Sequence, residues 1–136
     1  MNRTPVQIVL DFGRAWEIRD PDLVIAALTA DVVYQNVPLP AMNGHDEVRR
    51  FITPNLTKST AVKWEFLSVA VAPDGAVLTE RVDTFFFGAG SVPIPVMGIF
   101  ELRGEQIARW RDYADIGSFV RSMRAIGQMP GPGVAD

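Results

Sequence analysis

Three short polar segments interrupt apolar runs of this sequence, and their residue types are those that move protons. They are Tyr34-Gln35-Asn36, Arg81-Val82-Asp83 and Trp110-Arg111-Asp112. Each lies in a run typical of a β-strand, where side chains alternate between two faces, so Tyr34 shares a face with Asn36 and Arg81 with Asp83. If these faces meet at one apolar cavity, they bring together two carboxyls, a guanidinium, a phenol and an amide. Such a set can perform general acid–base catalysis.

A simpler interpretation of the same residues gives them no catalytic role. Arg81 and Asp83 could form an exposed charge pair on a strand, Asp112 could be a polar group at a strand end, and Asn36 could precede a turn. Charged groups inside apolar strands, however, are costly to bury without a purpose. The ordered set therefore favours a site, and we predict that its catalytic residues are Tyr34, Asn36, Arg81, Asp83 and Asp112.

Composition limits the classes of partner. The chain has 136 residues, of which 48% are hydrophobic, and its net charge is −3. It can therefore bury the core of one ordinary domain, while its scattered basic residues give no footprint for nucleic acid or an anionic membrane. Its apolar stretches are too short to cross a bilayer, and its N-terminal segment lacks the apolar region of a signal peptide. We predict a cytoplasmic protein with no nucleic-acid or membrane partner.

The residue types that are missing narrow the chemistry further. The sequence has no cysteine and a single histidine, His45, which excludes thiol nucleophiles, zinc–thiolate sites and multi-histidine metal sites within one chain. It contains no Gly-x-Ser-x-Gly, P-loop or Gly-x-Gly-x-x-Gly segment. We therefore predict no metal and no cofactor, and any catalysis must use carboxylates for proton transfer. His45 itself is expected to be exposed near the start of a helix.

The elements that must position these residues follow from capping signals and hydrophobic periodicity. Helices are predicted at 4–19, 20–28, 45–52 and 115–127, the third ending before Pro54. Strands are predicted at 32–36, 61–72, 76–87, 92–102 and 106–113. Helices followed by an antiparallel meander and a closing helix indicate an α+β fold. We expect one domain over 1–127 and a flexible Pro/Gly-rich tail over 128–136.

The three signatures, in this order and on these elements, resemble the limonene-1,2-epoxide hydrolase family. The match is carried by Tyr34-Gln35-Asn36-Val37-Pro38-Leu39-Pro40, Thr79-Glu80-Arg81-Val82-Asp83 and Trp110-Arg111-Asp112-Tyr113, with weaker support from Gly98-Ile99-Phe100. The resemblance implies a curved mixed or antiparallel sheet that forms a cone-shaped pocket, with N-terminal helices on its concave face, as in ketosteroid isomerase-like and nuclear-transport-factor-like proteins. It also implies a homodimer.

The resemblance further implies a role for each residue of the site. Asp112 accepts a proton from a water molecule that Tyr34 and Asn36 also hold. Asp83 donates a proton to the epoxide oxygen, and Arg81 lies between the two carboxyls. Water then opens the ring in one step and gives a vicinal diol, without a covalent intermediate or a metal.

We therefore predict an epoxide hydrolase, a hydrolase of ether bonds, that acts on a small apolar epoxide of the terpene or cycloalkene type. Phe85, Val96 and Phe119 are predicted to line its substrate pocket. One alternative is a ketosteroid-isomerase- or polyketide-cyclase-like enzyme, although an isomerase needs an oxyanion hole more than residues that hold a water molecule. Another alternative is a non-catalytic module that binds a small ligand on the same fold.

Overall fold

The computed structural model describes residues 2–128, which contain four helices and six strands. The helices are α1 (Pro5–Ile18), α2 (Pro21–Ala26), α3 (Gly44–Lys58) and α4 (Ile116–Ala125). The strands are β1 (Leu28–Val37), β2 (Met42–Asn43), β3 (Ala61–Val71), β4 (Val77–Phe87), β5 (Gly90–Arg103) and β6 (Gln106–Tyr113). The tail predicted to be flexible over 128–136 lies outside the described residues except for Gln128.

The six strands form one curved, unclosed sheet in the order β2-β1-β6-β5-β4-β3. Strands β3 to β6 follow each other as an antiparallel meander, whereas β1 pairs with β6 in parallel. Helices pack against this sheet, so the predicted α+β fold with a curved mixed sheet is confirmed. Within residues 2–128, no helix has the length and apolar character needed to span a bilayer.

Strand register places the three polar signatures side by side. The parallel pairing of β1 with β6 sets Tyr34 beside Trp110 and Asn36 beside Asp112. On the other side of β6, Asp112 pairs with Gly98 of β5, which in turn pairs with Thr79 of β4. Since residues two apart share a face, Arg81 and Asp83 follow Thr79 on the same face of β4.

Helix α1 covers the meander and supplies much of the core. Thr4 caps its first turn in a reciprocal capping box with Gln7, so the predicted N-terminus of this helix is confirmed. Its apolar face buries Val9, Phe12 and Trp16 against the sheet. Phe12 meets Trp64 of β3 and Trp110 of β6 edge to face, with ring centroids 5.7 Å and 5.0 Å apart.

Helix α3 extends further than the sequence predicts. It was expected to stop at Ile52, but it continues through Pro54 to Lys58. A proline inside a helix removes one backbone hydrogen bond and costs about 3 kcal/mol. Burial on one face outweighs this cost here, because Val48, Ile52 and Leu56 recur every four residues and are all fully buried.

Two further expectations near the start of the sheet are wrong. The predicted second helix ends before Leu28, because Leu28 already belongs to β1 and pairs with Ile107 of β6. His45 is partly buried instead of exposed, and its Nε2 lies 3.0 Å from the carbonyl oxygen of Leu28. This contact joins the start of α3 to the start of β1.

Candidate active site

Arg81 lies at the centre of the site and has no exposed surface. Its Nε and Nη2 donate to the two carboxylate oxygens of Asp83, both at 2.9 Å, and Nη2 also donates to Oδ2 of Asp112 at 3.0 Å. Its Nη1 donates to the hydroxyl of Thr79 at 3.1 Å. The planar guanidinium therefore fixes two carboxyl groups at defined positions, as bidentate arginine pairs do. The alternative of an exposed charge pair on a strand is wrong.

Aromatic rings surround the guanidinium group. Its central carbon lies 4.2 Å from the ring centroid of Trp64 and 5.6 Å from that of Phe100, a geometry that favours a cation. Burial alone would lower the pKa of Arg81, but the negative charges of Asp112 and Asp83 outweigh it and raise that pKa above its ordinary value. Arg81 is therefore a permanent positive charge between two carboxyl groups.

Asp83 is the carboxyl group whose environment favours the protonated form. Only 6% of its surface is exposed. Burial raises the pKa of Asp83 from 3.8 to about 6, with the charge of Asp112 acting in the same direction and Arg81 acting against it. A carboxyl with such a pKa retains a proton at far higher pH than an exposed aspartate does, as a general acid requires.

Asp112 is held from two sides. One oxygen accepts from Arg81, and the other accepts from the indole Nε1 of Trp110 at 2.9 Å. Two donors therefore hold this carboxyl group in place. Because both oxygens are fixed, Asp112 offers a lone pair in a defined direction to a group in the adjoining cavity.

Tyr34 and Asn36 lie beside Asp112 on the neighbouring strand. The hydroxyl of Tyr34 donates to Oδ1 of Asn36 at 3.0 Å, and the Tyr34 ring stacks on Trp110 with centroids 3.7 Å apart. Burial raises the pKa of Tyr34 well above its ordinary value, and the charge of Asp112 adds to this. The phenol therefore stays neutral, so its oxygen can accept a hydrogen bond while the Asn36 amide nitrogen can donate one.

The predicted site residues line one cavity, apart from Arg81, which lies behind the two carboxyls. Tyr34, Asn36, Asp83 and Asp112 form its polar side, and Phe85, Val96 and Phe119 contribute to its apolar walls. The remaining wall residues come from several elements and are Trp16, Leu39, Phe51, Asn55, Trp64, Ile94, Trp110, Ala114 and Ile116. The cavity has a volume of about 80 Å³. By the same measure of volume, one water molecule needs roughly 10–15 Å³.

Charge balance within this cluster favours a shared proton. Two ionised carboxyls and one guanidinium would leave a net negative charge buried among aromatic rings, which is unfavourable in a medium of low polarity. One proton on the pair makes the cluster neutral. The arrangement can then supply an acid and a base to the same bound molecule.

Sequence reasoning missed three supporting residues. Thr79 accepts from Arg81 and donates to the carbonyl of Gly98 at 3.2 Å, and Trp110 orients Asp112. Both lie two residues from a predicted site residue on its own strand, so the period-two pattern could have identified them. Gly98 has no side chain because a Cβ there would collide with Arg81 and Asp112, which only the strand register reveals.

Within residues 2–128, no group of three or more His, Cys, Asp or Glu side chains is arranged to bind a metal ion. Asp83 and Asp112 both direct oxygen atoms at Arg81, whose positive charge repels a cation.

Comparison with known proteins identifies a family. Residues 3–124 match the family model described as the limonene-1,2-epoxide hydrolase catalytic domain. A curated relative, epoxide hydrolase EphG of Mycobacterium tuberculosis, is 38% identical over 106 residues, which cover 77% of this chain and 69% of the relative.

Solved structures show the same fold. An LEH-like epoxide hydrolase from M. tuberculosis superposes with a TM-score of 0.74 and 28% identity over 90% of this chain and 93% of that one. A protein with a ketosteroid isomerase-like fold from Catenulispora acidiphila superposes with a TM-score of 0.73 and 23% identity, over 88% and 92% of the two chains. At that identity the second likeness concerns the fold alone. The family match, the curated relative and the first structure together show that this chain belongs to the limonene-1,2-epoxide hydrolase family.

Proposed function

We propose that this protein hydrolyses a small epoxide to a vicinal diol by one-step general acid–base catalysis. Membership of the epoxide hydrolase family supports the reaction class. The observation that carries the mechanism is the fully buried Arg81, which bonds both Asp83 and Asp112 at the wall of one cavity. The reaction needs an acid and a base in the same place, because an alkoxide is a poor leaving group and water is a weak nucleophile.

In the proposed step, a water molecule gives a proton to Asp112 as its oxygen bonds to an epoxide carbon. The bond between that carbon and the epoxide oxygen breaks, and the oxygen takes the proton of Asp83. The raised pKa of Asp83 supports its assignment as the acid. Tyr34 and Asn36 lie beside Asp112 on β1 and support the assignment of Asp112 as the base. Return of a proton from Asp112 to Asp83 through solvent restores the starting state.

Tyr34 and Asn36 are proposed to orient the nucleophilic water. A water that donates to Asp112 and to the Tyr34 oxygen, and accepts from the Asn36 amide, keeps one lone pair for attack on carbon. The register of β1 and β6, which sets Asn36 beside Asp112, supports this arrangement. Positioning of this kind contributes to the rate without a change in acid or base strength.

The walls of the cavity support an apolar body for the substrate. Phe85, Val96 and Phe119 present only carbon to it, as do Leu39 and Ile116. A hydrocarbon ring of the terpene or cycloalkene type would bury its surface there at a gain of roughly 25 cal/mol per Å².

We also propose that the enzyme is a homodimer that pairs through the outer face of its sheet. Five large apolar side chains stand out on this face, between 37% and 54% exposed: Leu67, Leu78, Phe86, Met97 and Tyr113. Met97 and Tyr113 are register partners on β5 and β6, so the exposed surface is continuous across strands. A second copy would bury the same patch on both subunits, as two-fold interfaces do.

Diol formation from a panel of terpene and cycloalkene epoxides tests the proposed function. Asp112→Asn and Asp83→Asn should each reduce turnover by about 10²-fold or more, since each removes a proton-transfer group. Tyr34→Phe and Asn36→Ala should slow the reaction less, because the base remains. Asp31→Asn is the matched control and should leave the rate unchanged, since Asp31 is an exposed partner of Arg103. The unaltered protein should also keep its rate in buffer that contains a strong chelator. Near-normal rates in either Asp83→Asn or Asp112→Asn would remove that residue from the mechanism.

A further inference from the structure

Asn55 is a polar residue of the cavity wall that the acid–base chemistry does not use. It lies on α3, one turn after Phe51, and is partly buried. The carboxyl groups come from β4 and β6 on the sheet side of the cavity, so Asn55 faces the same space from the helix side. The rings of Phe51 and Tyr34 meet edge to face with their centroids 5.8 Å apart, which fixes this part of α3 against β1.

The orientation of the Asn55 amide follows from its one local hydrogen bond. Its Nδ2 donates to the carbonyl oxygen of Phe51 at 3.0 Å. A carbonyl oxygen only accepts, so the atom that faces it must be the nitrogen and not the oxygen. The amide oxygen therefore points away from the helix backbone, and Nδ2 keeps a second hydrogen. Asn55 can offer one acceptor and one donor to a neighbouring group.

A purely structural role explains only half of this side chain. The bond to Phe51 reinforces α3 next to Pro54, where the helix lacks a backbone donor. It leaves the amide oxygen and the second Nδ2 hydrogen without a role in a cavity whose other α3 residue, Phe51, is aromatic. A ligand that covers this side chain would remove the amide oxygen from water at a cost in free energy unless the ligand donates to it, and for a hydrocarbon ligand a leucine in this position would be the better contact.

We infer that Asn55 selects epoxides that carry a hydroxyl group on the part of the molecule remote from the oxirane ring. A hydroxyl group donates to the amide oxygen and accepts from the second Nδ2 hydrogen, so it satisfies both free positions at once. The substrate then spans the cavity, with its oxirane ring at Asp83 and Asp112 and its hydroxyl at α3. This inference rests on the proposed epoxide hydrolysis and makes the substrate class more specific: an oxygenated epoxide instead of a hydrocarbon one.

A competition experiment tests the selection. Cyclohexene oxide and its analogue with a hydroxymethyl group on a ring carbon remote from the epoxide are mixed in one reaction, and both diols are followed. The ratio of the two kcat/KM values does not depend on how much enzyme is folded, so a destabilised variant still gives a valid ratio. The unaltered protein should favour the hydroxylated epoxide. In Asn55→Leu and Asn55→Ala this preference should fall by about tenfold or more. Tenfold corresponds to the loss of one of the two hydrogen bonds between Asn55 and the hydroxyl group.

Ile116→Ala is the matched control from the apolar part of the same cavity. It removes carbon contacts only, so it should change the rates of both epoxides in the same direction and keep their ratio within about twofold of that of the unaltered protein. An unchanged ratio in both Asn55 variants would overturn the role of Asn55 while leaving epoxide hydrolysis in place. Failure of the unaltered protein to convert either epoxide would instead count against the proposed function itself.

Discussion

At the scale of single residues, the site depends on one guanidinium group shared by two carboxyls. Buried ion pairs contribute little net stability, because desolvation offsets most of their attraction. Burial of Arg81, Asp83 and Asp112 among aromatic rings therefore favours the proposed catalytic role over a purely stabilising one. Arginine suits this place because its planar group bonds Asp83 through two nitrogens while also reaching Asp112 and Thr79. Lysine, as a point charge, cannot do this.

The raised pKa of Asp83 predicts how the rate changes with pH. A general acid must be protonated, so kcat/KM should fall tenfold per pH unit once the pH exceeds about 6, the value to which burial raises this pKa. A general base must be ionised, so protonation of the base at lower pH gives the profile a bell shape. Initial rates of diol formation, corrected for spontaneous hydrolysis, measure it.

His45 provides the control for this profile, because it is the single histidine of the sequence. His45→Gln should leave the alkaline limb in place, since His45 contacts the carbonyl of Leu28 and does not line the cavity. Loss of that limb in His45→Gln, or a flat profile through neutral pH, would contradict the placement of the proton on Asp83.

The same raised pKa predicts the pH dependence of stability. A carboxyl whose pKa is raised on folding contributes stability below its unfolded value and loses it as the pH rises through the folded value. Stability attributable to Asp83 should therefore decline between pH 3.8 and about 6, by about 3 kcal/mol for two pKa units. Urea unfolding across this range should show a shallower decline in Asp83→Asn, whereas an equal slope would mean that Asp83 is not desolvated.

Single residues were the part of the site best predicted from sequence. All five predicted catalytic residues lie together in the structure, because a period of two assigns strand side chains to faces and the family resemblance assigned them to one site. Trp110 lies in the core, and its bond to Asp112 was not foreseen. An indole can both fill a core and orient a carboxylate, and sequence spacing alone does not distinguish the two.

At the scale of elements, the central feature is the close packing of β4, β5 and β6 behind the carboxyls. Gly98 of β5 leaves the space in which Arg81 and Asp112 meet, since an added Cβ would overlap both. Gly98→Ala should therefore displace the guanidinium group and reduce kcat by about 10²-fold, the cost of a misplacement of about 1 Å. Steady-state kinetics and a melting curve on the same preparation measure it.

Gly88 gives the matched glycine control, because a Cβ there would have no neighbour within 4 Å. Gly88→Ala should leave both rate and melting temperature close to those of the unaltered protein. If Gly98→Ala behaves like Gly88→Ala, the site does not need the space that Gly98 leaves, and the tight geometry described for Arg81 is wrong.

Elements were predicted well where local signals decide and poorly where distant contacts do. The capped start of α1 and the antiparallel meander follow from local pattern, and both are confirmed. The parallel pairing of β1 with β6 was not predicted, because it joins segments more than 70 residues apart and leaves no local signal. Continuation of α3 past Pro54 has the same origin, since burial of Leu56 outweighs a local helix breaker.

At the scale of the whole molecule, the proposed homodimer predicts a change in mass on substitution. Met97→Glu places a charge at the centre of the exposed apolar face, where Met97 is 53% exposed beside Tyr113. It should convert a dimer into a monomer in light scattering coupled to size exclusion, because a buried charge without a partner is unfavourable. Ile18→Glu, at an exposed site on α1, should leave the mass unchanged.

A monomeric mass for the unaltered protein would contradict the proposed dimer and leave the chemistry of the cavity untouched. A dimeric mass for Met97→Glu would contradict pairing through this face, since the interface would then lie elsewhere.

The fold class itself was predictable from the order of elements, and the mixed curved sheet confirms it. The extent of the domain over 1–127 stays a prediction.

The most direct test of the account is the source of the oxygen in the product. Epoxide hydrolases that use an aspartate nucleophile pass through an ester, so an enzyme oxygen ends in the diol. Here both oxygens of Asp83 and of Asp112 are engaged by Arg81 or Trp110, and water is the proposed nucleophile. A single turnover in ¹⁸O-labelled water, with enzyme in excess, should give labelled diol and leave both aspartates unlabelled in peptide mass spectra. Unlabelled diol together with ¹⁸O in Asp83 or Asp112 would show a covalent route and contradict direct attack by water.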